Sequence, residues 1–218
     1  MTVPVGKFVR HVAIDTPGAP NPTIEDAIVS AAIDFCELSS VWQENVPDLY
    51  LLPGIRTYAL SVPDGARVHR FVTAQNHLGE DVQETTTGWL NLNVPGWEKQ
   101  RGDAVEYVTF EQSVNVIGVS PVPDKPHFRG MTGMRVILKP LRDSTELPAF
   151  LYEDHLEAIA HKAKDILLRM PGKAWSNVSA ANEYLTLYAG SIKPAAQTAT
   201  PGLTGRQTTY GMRRNTYT

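Results

Sequence analysis

The stretch Leu151–Ser176, LYEDHLEAIAHKAKDILLRMPGKAWS, decides how the chain folds. Apolar side chains at Tyr152, Leu156, Ile159, Ala163, Ile166 and Met170 recur at spacings of 4, 3, 4, 3 and 4, which is one stripe along a helix. Glu153 and Asp154 near its start and Arg169 at its end suit the helix dipole, and Pro171-Gly172 stops it. A further helix is predicted from Ser176, just after Trp175, through Val178, Ala181, Leu185, Tyr188 and Ile192 until Lys193-Pro194 ends it. The short connection from Pro171 to Trp175 makes these two helices an antiparallel hairpin.

Working outward, the same period governs Ile24, Ile28, Ala31, Phe35, Leu38 and Trp42. Thr23 is the predicted N-cap, with Glu25 and Asp26 in the first turn. Between these helical regions the period falls to two. Leu49–Leu52, Arg56–Leu60, Val68–Ala74, Val105–Phe110, Val114–Val119 and Met134–Lys139 read as short strands, punctuated by Pro53-Gly54, Asp64-Gly65 and Leu78-Gly79. The span 86–104 reads as a long loop. The predicted class is α+β: a three-helix bundle, one N-terminal helix plus a C-terminal helical hairpin, with an inserted antiparallel β domain and an extended C-terminal tail. The predicted divisions are an N-terminal arm at 1–21, the bundle at 22–45 and 148–192, the β insertion at 46–147 and the tail at 193–218.

Composition narrows the function classes. Hydrophobic residues at 42% and charged residues at 20% of 218 exclude general disorder and a coiled-coil rod. A single cysteine, Cys36, excludes an internal disulfide framework and a cysteine-rich zinc module. No apolar run reaches membrane-spanning length and no basic-then-apolar leader opens the sequence, so a soluble protein of a reducing cytosol is expected. Charge is uneven. Lys193, Arg206, Arg213 and Arg214 are four of the 20 basic residues and have no acidic neighbour in 193–218, so 16 basic residues stand against all 23 acidic ones elsewhere. That tail has only Leu203 and Met212 as large aliphatic residues and cannot build a core of its own. Tyr210 and Tyr217 beside Arg206, Arg213 and Arg214 are residue types enriched where one protein docks on another. The predicted partner-binding residues are therefore Leu203, Arg206, Tyr210, Met212, Arg213, Arg214 and Tyr217.

The search for catalytic residues is negative, and neither an enzyme nor a cofactor is expected. Gly172-Lys173 is followed by Ala174 and lacks the earlier glycine of a phosphate-binding loop. His11, His69, His77, His127, His155 and His161 contain no i, i+4 pair, so no metal site is expected. Glu153, Asp154 and Glu157 could form a hydrolytic carboxylate set, but acidic residues in a first helical turn are explained by the dipole. Cys36 beside Phe35 reads as a small core filler rather than a nucleophile. Trp89 and Trp97 could form a carbohydrate or protein platform, or could close the edge of the β layer.

These residues resemble a family. Phe35-Cys36-Glu37 with Val41-Trp42, then Leu52-Pro53-Gly54, Tyr58-Ala59-Leu60 and Pro63-Asp64-Gly65-Ala66 resemble head-to-tail adaptor proteins of tailed bacteriophages. Leu138-Lys139-Pro140, Asp143 through Pro148, Leu151 through Ile159 and Met170 through Ser176 are similar to the pattern entering that family's helical hairpin. The resemblance covers about residues 8–192 and implies a helical bundle carrying a β domain. It also implies a structural protein of the virion neck, assembled in the bacterial cytoplasm. Such adaptors form a homo-oligomeric ring of twelve copies under the portal protein, join the capsid vertex to a tail or nozzle protein and surround the DNA channel. DNA would pass without sequence-specific binding, no membrane would be involved, and a C-terminal extension would engage the portal.

Overall fold

In a computed structural model, which describes residues 1–199, the chain is a mixed α+β protein with six helices and several largely antiparallel sheets. Strand β1 (Thr2–Pro4) and helices α1 (Gly6–Ala13) and α2 (Asn21–Ser39) come first. Strands β2 (Gln43–Asn45), β3 (Leu49–Leu51), β4 (Thr57–Ala59), β5 (Ala66–Asn76) and β6 (Gln83–Glu84) lead to α3 (Thr87–Asn93). Then follow β7 (Arg101–Gly102), β8 (Tyr107–Phe110), β9 (Val116–Ser120), β10 (Val122–Pro123), β11 (His127–Pro140) and β12 (Glu146–Pro148). Helices α4 (Ala149–Glu153), α5 (Leu156–Leu168) and α6 (Val178–Ala199) complete the described chain.

The apolar stripe of α2 is core: Ile24, Ile28, Ala31 and Phe35 are buried against α5 and α6, with β11 on the same helix. The helix starts two residues before Thr23, with Pro22 in its first turn and Pro20 as an N-cap that makes no side-chain bond. It ends earlier than the period suggests, because Ser40 turns left-handed (φ 56°) while its N–H still donates to the Cys36 carbonyl at 3.0 Å. Trp42 is therefore buried beyond the helix, edge-on to Phe150, and Leu38 is 56% exposed.

The helical hairpin forms, with three corrections. Its first helix is broken: α4 stops at Glu153 and α5 begins at Leu156, with His155 between them at φ −130° and ψ 16°. Its ring lies 5.0 Å from Phe35, and burial lowers its pKa, favouring the neutral imidazole. Second, α6 begins at Val178 rather than Ser176. Third, it continues through Pro194 to Ala199. Proline removes one intrahelical N–H and crowds the preceding turn, where Gly190 leaves open space, and Ala195 beyond it is buried. The turn between α5 and α6 is closed by Asn177 N–H donating to Leu168 O at 2.9 Å.

Residues 1–21 contain regular structure that the sequence reading did not assign. β1 pairs antiparallel with β12, and α1 buries Phe8 and Val12, with Phe8 edge-on to Tyr152 at 5.1 Å. α1 packs on both α2 and α5, so a fourth helix joins the three expected. Lys164 of α5, almost buried, is paired with Asp15 at 2.6 Å beside it, and this bond holds the Asp15 carboxyl below the usual range.

β11 organises the β region. One edge pairs with β5 from Ala66↔Pro140 to Asn76↔Met131; the other pairs with β3 near His127 and with β2 near Arg135. A second sheet runs β4-β9-β8-β6, with β6 and β8 parallel. Asn115, left-handed at φ 58°, couples the two sheets: its side chain accepts from Val68 N–H at 2.8 Å and donates to Ala66 O at 2.9 Å. No helix of the described residues is long and apolar enough to cross a membrane.

Candidate functional site

The predicted partner-binding residues Leu203, Arg206, Tyr210, Met212, Arg213, Arg214 and Tyr217 lie outside the described residues. The point from which they depart is described. The carbonyl of Ala199 accepts from the Gln43 side chain at 3.0 Å, so α6 delivers the chain to β2, at an outer edge of the β11 sheet. The expected tail boundary at 193 moves accordingly, since Lys193–Ala199 is helix.

The residues weighed for chemistry separate. Cys36 is buried, and burial with Glu37 nearby pushes its thiol up to about 12, a protonated and unreactive group. Glu153, Asp154 and Glu157 are exposed around a groove of about 540 Å³ between the α4–α5 junction and the last turns of α6. Lys173 lies against the Trp175 ring at 5.9 Å, and Gly172 supplies the positive φ that ends the α5 region.

The two tryptophans do not form one platform. Span 86–104 contains α3, whose first turn is capped by the Thr86 hydroxyl accepting from Trp89 N–H at 3.2 Å. Trp97 is only 4% exposed; its Nε1–H donates to Asn91 Oδ1 at 2.7 Å, and the Arg56 guanidinium covers its ring at 4.1 Å. Trp89 is partly exposed and leans on Tyr107. Trp97 is thus a packed side chain and is not presented as a platform.

Exposed apolar side chains collect instead where β3 and β11 meet. Tyr50 stacks on Phe128 at 4.9 Å, and Phe128 is 82% exposed. Leu52 and Ile55 stand exposed in the adjacent turn, which the Tyr58 hydroxyl holds by bonds to Leu52 N–H, Leu52 O and Ile55 O. Exposed aromatic and aliphatic side chains of this kind anchor protein contacts.

The structure also brings together three residues that sequence spacing did not connect. His77, at the turn after β5, Asp103, just after β7, and His127, the first residue of β11, offer ligand atoms that all lie within 4.8 Å of one another. Their separations of 26 and 24 residues carry no motif, because the turn after β5, the bend after β7 and the start of β11 supply them.

No family model matches the chain. Over 114 residues, 52% of its length, it is 25% identical to the portal protein of Mycobacterium phage L5, and the matched part is 23% of that relative. The chain thus spans less than a quarter of the length of the curated relative it matches.

Proposed function

We propose that this chain is a non-catalytic structural protein of the head-to-tail junction of a tailed phage. In this reading it is an adaptor that assembles as a ring, of twelve copies, beneath the portal and links it to a tail or nozzle protein. The observation that carries the proposal is the similarity to a phage portal protein over half of the chain. Three features support the finer assignment. The motifs of the adaptor family fall on α2, the β insertion and the α4–α6 region, in the order that family has them. The packed unit of α2, α5 and α6 would form the bundle, with α1 as its buttress. An acidic body bearing a basic tail suits a channel protein, because like charge keeps passing DNA from sticking while the tail's cations seek a protein partner.

The tail is assigned as the portal clamp. Attachment by this segment would require apolar grooves on the portal for Leu203, Tyr210, Met212 and Tyr217, and carboxylates or carbonyls there as acceptors for Arg206, Arg213 and Arg214. Light scattering of the free chain at low micromolar concentration is expected to give a monomer, and addition of the portal of its own phage is expected to give a large complex. Deleting 200–218 should leave the melting temperature unchanged and weaken attachment by at least about tenfold, about 1.4 kcal/mol. Unchanged attachment by the truncated chain would remove the clamp role. No complex from the intact, folded chain would remove the adaptor assignment.

A further inference from the structure

We propose that His77, Asp103 and His127 form a binding site for one divalent transition-metal ion, zinc in the first instance, that fastens the turn after β5 and the bend after β7 to the start of β11. Two of the ligands are well sheltered, the His77 and His127 side chains being 19% and 14% exposed, whereas Asp103 is half exposed and opens the site to solvent. Asp103 Oδ1 lies 3.1 Å from His127 Nε2, and Asp103 Oδ2 lies 3.8 Å from His77 Nε2. With zinc–ligand bonds of about 2.0–2.1 Å, neighbouring ligand atoms in a tetrahedral shell stand roughly 3.3 Å apart, so the observed separations bracket the required edge.

The ring nitrogens supply a second, independent observation. His77 Nδ1 and His127 Nε2 are both buried, and neither has a hydrogen-bond partner among the described residues. The short approach of His127 Nε2 to the carboxylate is thus a contact without the alignment of a hydrogen bond. Buried imidazole nitrogens are ordinarily satisfied, and a bound cation would satisfy that of His127.

Donor chemistry selects the ion. Two imidazoles and one carboxylate suit zinc, nickel, copper or iron and do not suit magnesium or calcium, which prefer oxygen shells. Three protein ligands leave at least one position for water. The two rings are now stacked, with centroids 4.0 Å apart and planes 19° from parallel. Loading the site therefore requires them to fan apart about χ2, a broad torsion in histidine, until both lone pairs converge beside Asp103. Lys125 Nζ, 3.7 Å from Asp103 Oδ1 and largely exposed, is the cation that the metal would displace from the carboxylate.

The test uses the full-length, untagged chain, freed of metal with EDTA and titrated with zinc chloride by calorimetry and by thermal melting. One equivalent is expected to bind. At zinc concentrations a hundredfold above the dissociation constant, the melting temperature should rise by roughly 5–10 °C, while magnesium leaves it unchanged. Asp103→Asn and His127→Gln should each weaken binding by at least about tenfold, whereas Lys125→Ala should bind at least as tightly as the unaltered chain. Asp103 is exposed enough for its variant to fold, so that measurement stands even if the histidine variant does not. Absence of zinc binding, or one-site binding that Asp103→Asn leaves unchanged, overturns the proposal.

Discussion

Replacing Phe35 with alanine is expected to destabilise the protein by about 3–5 kcal/mol, the loss typical of removing a fully buried aromatic side chain from a close-packed core. The size follows from its position. Phe35 is completely buried on α2, with its ring 5.0 Å from His155 at the start of α5 and 6.3 Å from Tyr188 of α6. One side chain thus joins all three helices, and the space it leaves cannot be filled without moving one of them. Tyr188 is itself fixed, because its hydroxyl donates to Asp34 Oδ2 at 2.8 Å. Leu38→Ala is the matched control: it occupies the same sequence period one turn later but is 56% exposed, so the change should stay within about 0.5 kcal/mol. Urea denaturation of both variants measures the contrast directly. Equal midpoints would mean that the α2 stripe is not the seam of the helical layer.

Gly130→Ala is expected to be the most damaging single-methyl addition in the β region. A Cβ at this position would stand 2.3 Å from Leu51 Cγ, 2.5 Å from its Cδ1 and 2.8 Å from its Cβ, distances that no carbon pair tolerates. Leu51 is 1% exposed and cannot swing into solvent without opening the core beneath β3. Relief requires β3 to move off β11 where their register already shifts between His127 and Met131. Overpacking of this kind costs about 1–3 kcal/mol, and backbone displacement places this case at the upper end. The double variant Gly130→Ala with Leu51→Ala should cost less than the sum of the two singles, since the smaller partner makes room. Strict additivity would show that the clash is relieved elsewhere and that the β3–β11 approach is not tight.

These two sites also show what could be read from the sequence. Phe35 lay in a six-position stripe, and helical period survives without knowledge of partners because a helix buries one face whatever covers it. The same logic found the α5–α6 hairpin. It failed at helix ends, where a left-handed Ser40 or a break at His155 depends on tertiary packing, and at Pro194, where a local rule was overridden. It missed α1, although Val5, Phe8, Val9 and Val12 carry a helical spacing there, because the stripe is only about two turns long and lies ahead of Pro17 and Pro20. The period at Met134–Lys139 marks fewer than half of the residues of β11, because His127–Gly133 is rich in glycine and polar residues and reads as loop. Gly130 is such a residue: its absence of a side chain is what lets Leu51 close over the strand. The histidine–aspartate cluster was invisible for a different reason, since its members are far apart in sequence and meet only once β5, β7 and β11 are in place.

The most direct measurement is a negative-stain image of the purified chain mixed with the portal of its own phage. A second ring, coaxial with the portal, on its tail-facing side and present only when this chain is added, is the expected result. A portal ring that looks the same with and without the folded chain, at concentrations well above those in an infected cell, would contradict a place at the head-to-tail junction.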